Sequence, residues 1–147
     1  MTESVARIGA DGACEYRPFD EPWVTWKSPA AVAEAWVSER RANELGPVWW
    51  FLSAVCAEPQ PGVVDLVIAL AHAAEGDADL VAAVGAGPLE NLVHQAGGDA
   101  ELMNEIERAA RQEPAFRAAL SCVWMGSDVP TAVKQRLVRF GAINISE

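Results

Sequence analysis

At 147 residues, with 51% apolar composition and six tryptophans, the chain carries enough apolar surface for one ordinary domain core, which excludes bulk disorder. A formal net charge of −10 argues against nucleic acid and anionic membrane as partners and favours cationic ones, with plain solubility as the simpler use of that charge. The three cysteines (Cys14, Cys56, Cys122) are odd in number and lack CxxC spacing, so neither a disulfide framework nor a zinc site is expected.

Residues 1–27 are interrupted by Gly9, Gly12, Pro18 and Pro22, so they are expected to form an extended or irregular arm, or at most a short strand pair. Val5, Ile8, Tyr16, Phe19, Trp23 and Trp26 give that arm apolar groups with which to lie on the body. The opening MTESVARIGADG has no apolar core of a secretion signal, and the longest apolar runs, 48–57 and 67–74, are too short to span a bilayer. A soluble, cytoplasmic setting is the expectation.

Residues 28–147 are expected to form a single all-helical domain, a compact bundle or a short stack of antiparallel helix pairs. Ser28-Pro29 predicts the cap and first turn of a helix ending before Gly46, and Pro47 opens a second, almost wholly apolar one. A third runs over 63–75, and GDAD (76–79) begins a short fourth that should stop at GAG (85–87). Pro88 should then open a fifth, Asp99 cap a sixth through 112, Pro114 open a seventh that reaches Trp124, and an eighth cover 128–140. The apolar stripes put Trp36, Phe51, Leu66, Leu70, Leu89, Leu92, Ile106, Phe116, Leu120 and Trp124 in one core. Trp49 and Trp50 are also expected to be core residues.

Charge is unevenly distributed along this plan. No Lys or Arg occurs from Ala42 through Glu107, where eleven acids fall, whereas residues 108–147 carry six bases against three acids. Glu105→Arg108 and Glu107→Arg111 have the spacing of helix surface pairs.

Three blocks, GPLENLV (87–93), IERAA (106–110) and EPAFRAALSCVW (113–124), resemble the C-terminal signature of a widespread bacterial family of uncharacterised all-helical domains. AEAWVSERRA (33–42) and VWWFLSAV (48–55) are similar to its N-terminal helices. The resemblance covers about residues 30–140 and implies a fold and a compartment, not an activity.

Catalytic constellations are not visible. Glu90, at the third position of a helix opened by Pro88, reads as a capping carboxylate. Arg117 lies on a flank of the seventh helix and is expected to pair with a buried acid such as Glu90 or Glu107. His72 and His94 have no ligand spacing, and Asp77 and Asp79 lack the glycine and glutamate that complete a calcium loop. Ser53, Ser121 and Cys122 are buried by pattern, with no nucleophile elbow. No metal and no cofactor is expected.

Two functions remain. The first is a non-enzymatic acidic interaction protein, for example an immunity protein or antitoxin, that meets a basic protein through acids such as Glu75, Asp77 and Asp79. The second is an enzyme or small-ligand binder using Glu90, Glu107 and Arg117 in a cleft lined by Trp124.

Overall fold

The computed structural model describes residues 4–19 and 21–144, so the ends of both expected segments, 1–3 and 145–147, lie outside the described residues. The chain is mostly helical but not all-α. Two small sheets accompany the helices.

The N-terminal segment is a three-stranded antiparallel sheet, β1 (Val5–Ile8), β2 (Cys14–Arg17) and β3 (Val24–Trp26), where an extended or irregular arm, or at most a short strand pair, was expected. Its strands are too short for a clear period, yet the alternation is there: Cys14 and Tyr16 are buried, while Glu15 and Arg17 point outward. On the outer side Arg7 and Glu15, opposite each other in register, form an ion pair at 2.7 Å. Trp23 lies there between the guanidiniums of Arg7 and Arg17, at 4.5 and 5.2 Å. The inner side rests on the helices, with the Trp26 ring 5.1 Å from that of Phe51.

Helices α1 (Pro29–Arg41), α2 (Pro47–Ala57) and α3 (Val63–Ala74) begin where the punctuation placed them. Ser28 Oγ accepts the Ala31 N–H, and Pro29 fills the first helical position. The α1–α2 corner is built on Glu39, whose carboxylate accepts the N–H groups of Gly46, Val48 and Trp49. It thereby satisfies the free donors of the α2 N-terminus. The α2–α3 turn is tied to the sheet by Gln60, which donates from Nε2 to the Ala6 carbonyl and accepts the Ile8 N–H on Oε1.

The expected break at GAG does not occur. Helix α4 (Ala78–Val84) continues through a π-turn, Gly85–Leu89, directly into α5 (Glu90–Gln95). Proline inside an α-helix removes one N–H and crowds the preceding turn. The wider π-turn absorbs Pro88, with the Glu90 N–H reaching back to the Gly85 carbonyl. Gly85 is needed here, because a β-carbon would fall on the Ala119 carbonyl oxygen and 2.6 Å from Cβ of Cys122.

Helix α6 (Ala100–Gln112) is capped by Asp99, which accepts the Leu102 N–H, and α7 (Pro114–Leu120) follows. Helix α7 ends four residues earlier than expected. The Ser121 hydroxyl bonds the Ala118 carbonyl, and the chain turns into β4 (Trp124–Met125). Strand β4 pairs in parallel with β5 (Ile143–Asn144) across α8 (Thr131–Val138). The core contains nine of the ten residues assigned to it. Trp124 is the exception, 55% exposed on its strand, and Trp50 is likewise exposed at 51%, with Trp49 half-buried. Ser121 is exposed, and Ser53 and Cys122 are only partly covered, against the expectation from their apolar surroundings.

Two outcomes check this packing. Gly85→Ala is expected to lose about 1–3 kcal/mol in urea unfolding, since overpacking outweighs the better helix propensity of alanine. Phe116→Ala is expected to lose about 3–5 kcal/mol, whereas Trp124→Ala, at an exposed position, should lose less than about 1 kcal/mol in the same measurement.

Candidate functional site

Among the described residues, five of the eleven acids of the base-free stretch, Glu75, Asp77, Glu90, Asp99 and Glu107, are held by hydrogen bonds or ion pairs within the fold. Asp77 caps α4 by accepting the N–H groups of Asp79 and Leu80. Asp79 is exposed in the first turn of α4, and Glu75 receives the His72 imidazole at 3.0 Å. Glu90 does not cap a helix start. Its Oε1 accepts the Trp124 backbone N–H at 3.0 Å, joining α5 to β4.

Glu107 is 7% exposed and surrounded by arginines. Its carboxylate meets Arg111 at 2.6 Å, Arg136 at 2.8 Å and Arg139 at 3.1 Å, and Arg136 also bonds Asn104. The hydrogen bond from Arg136 is the main cause that holds the Glu107 carboxyl below the usual range, against the opposing effect of burial; the charges of the three arginines add to it. Arg117 pairs with neither acid, and instead donates to the Ala110 carbonyl near the C-terminal end of α6. Glu90, Glu107 and Arg117 thus each serve a separate junction, and no described contact unites them in a cleft.

A different group of acids is brought together. Helix α3 buries most of its circumference and leaves Asp65, Ile68 and His72 on its open side. The neighbouring α6 presents Glu101, Glu105, Arg108 and Gln112, spaced by one turn. Between the two helices runs a groove of about 230 Å³ lined by Asp65, Ile68, Glu105, Arg108, Gln112 and Glu113. Partial burial raises the Glu105 carboxyl above its ordinary value; Glu101 adds to this by repulsion, as do Asp65 and Asp99, and Arg108 offsets part of it. At one end His72 bridges Glu75 and Glu113, at 3.0 and 3.1 Å. The hydrogen bond to Glu75, joined by that to Glu113, raises the imidazole above its ordinary value despite some burial.

Of the acids expected to bind a partner, Glu75 therefore stands at the end of this groove, while Asp77 is committed to a helix cap. Sequence reasoning missed Asp65, Glu101 and Glu105 as a group. Glu101 and Glu105 have the right helical spacing, but their approach to Asp65 depends on α3 lying beside α6. The second histidine, His94, faces Asp128 at 3.7 Å. Among the described residues, no group of three or more His, Cys, Asp or Glu is placed to hold a metal ion, and no helix is long and apolar enough to cross a membrane.

The two outer blocks that carry the sequence resemblance, GPLE (87–90) and the VW of 123–124, are the ones joined by the Glu90–Trp124 hydrogen bond. A family profile matches residues 38–142, from the last turn of α1 to the residue before β5. The chain belongs to DUF6869, a family of unknown function. The three-stranded sheet and most of α1 lie outside the family match. Comparison with curated proteins and with solved structures finds no match.

The Glu107 junction generates a pH test. A carboxyl whose folded-state pKa is depressed contributes stability above its unfolded value, about 4.5, and that contribution disappears as pH falls through the folded value. Glu107→Gln, which leaves three partly exposed guanidiniums without their counter-charge, is expected to cost about 1–3 kcal/mol at pH 7. Urea unfolding at pH 7 and again below pH 4.5 should show a shallower acid decline for the variant than for the parent.

Proposed function

We propose that the protein is a non-enzymatic acidic binding module that receives a basic segment of a partner protein along the α3–α6 groove. The observation that carries this reading is a groove lined by Asp65, Glu105 and Glu113, with Glu101 one turn from Glu105 on α6, in which Glu105 is already disfavoured as an anion by its surroundings. Like charges gathered on one face cost folding energy and return it when a cation arrives. Several acids outside the groove give a contrast: Asp77, Asp99, Glu39 and Glu90 are spent on backbone N–H groups, and Glu107 on arginines. Among the described residues, Arg108 is the one cation lining the groove. An immunity protein or antitoxin that masks a cationic toxin domain is one concrete form of such a module.

A lysine- and arginine-rich peptide serves as the probe. Binding followed by calorimetry should weaken steeply between low and physiological salt, because exposed charge pairs are screened. The triple variant Asp65→Asn, Glu101→Gln, Glu105→Gln should lose about tenfold or more in affinity while its melting temperature stays level or rises slightly, since the groove acids contribute little to folding. Equal binding by parent and variant, or no binding at low salt, would overturn the proposal.

A further inference from the structure

A second, unrelated cleft lies between α1, α2 and the π-turn, where that turn departs from the regular helix. It is enclosed by the indoles of Trp36 on α1 and Trp49 on α2, with Gly87 and Pro88 of the π-turn forming the third wall, and has a volume of about 110 Å³. An enclosed cavity of about 150 Å³ is what holds benzene, so a ring seated in this smaller, open cleft is only partly enclosed and its substituent stays at the mouth. The three walls are fixed independently. Glu39 pins Trp49 in the corner through the Trp49 N–H, Trp36 is buried in the core, and Gly85 locks the π-turn against α7.

The polar edge of the cleft is formed by Arg40, Ser53 and Asn91. The Ser53 hydroxyl donates to the Trp49 carbonyl, which leaves Arg40 and Asn91 as the donors open to a ligand. Among the described residues Arg40 has no carboxylate partner; its guanidinium lies 6.0 Å from the Trp36 ring centroid. The adjacent Glu39, the nearest acid in sequence, has committed its carboxylate to three backbone N–H groups. At Gly87 a β-carbon would meet nothing within 4 Å, so this wall of the cleft has open space beside it. Short π-turns inside helices occur frequently at functional sites.

We propose that this cleft is a binding site for a small, flat carboxylate. Its ring lies between Trp36, Trp49 and Pro88, and its carboxylate accepts hydrogen bonds from Arg40 and Asn91. The site is separate from the acidic groove, and neither proposal depends on the other.

Benzoate is the probe, with benzyl alcohol as the uncharged ring and acetate as the charge without a ring. Titration followed by tryptophan indole N–H resonances should shift the Trp36 and Trp49 signals saturably with benzoate, and only weakly with either control. Arg40→Gln should weaken benzoate by about tenfold or more, as expected for the loss of a charge-assisted contact. Gly87→Leu should fill the slot and abolish binding while the far-ultraviolet circular dichroism and melting temperature remain those of a folded protein. Absence of saturable shifts at millimolar benzoate would overturn the assignment. So would unchanged affinity in Arg40→Gln, or in a folded Gly87→Leu.

Discussion

Helix α3 carries a single carboxylate, Asp65, and a single imidazole, His72, among twelve residues that are otherwise apolar. Such a segment cannot rest on one neighbour. It must be covered on several sides, and α1, α4, α6 and α7 each pack against it. This requirement fixes the order of the remaining elements. The α4–α5 rod has to fold back across α3, α6 and α7 have to close the far side, and the open strip runs through Asp65, Ile68 and His72, with Ala69 and Ala73 on its flank. The acidic groove is therefore what remains after the core is satisfied. Its charge can accumulate because the α6 face opposite Asp65 is also turned to solvent.

Within that arrangement, charged groups divide sharply by task. The three arginines gathered on Glu107 come from α6 and from α8 and its C-terminal end, and they fasten the end of the chain to the middle of the fold. Three of the six bases of residues 108–147 meet at this one carboxylate and do not offset the acids of α3 and the first half of α6. A local excess of positive charge and a local excess of negative charge therefore coexist on one small domain. Net charge alone would not reveal this, and it explains why a cationic partner and an anionic ligand can be considered for separate faces.

Much of the helical plan was legible because proline and glycine marked it. Ser28-Pro29, Gly46-Pro47 and Glu113-Pro114 each begin a helix as local chemistry dictates. Gly87-Pro88 carries the same token and means something else, since Gly85 must press against Ala119 and Cys122, and the helix widens instead of stopping. Trp124 misled for a related reason: the heptad from Arg117 is helical in spacing, but the backbone there is claimed by Glu90 and by pairing with Ile143. The N-terminal strands, three or four residues each, are shorter than a period can establish, and their burial depends on α2 beneath them. The carboxylates of the groove were visible one by one. Their meeting was not, because it is a property of how α3 and α6 lie together.

The side chain of Gln60 has a consequence for the sheet as a whole. By accepting the Ile8 N–H and donating to the Ala6 carbonyl, it supplies the pair of bonds that a fourth strand would make. The outer edge of β1 is thus already occupied, by a primary amide from a turn between two helices. An open edge is a template on which foreign strands can nucleate. Here a single residue acts as a plug on one of the sheet's two edges, the one formed by β1.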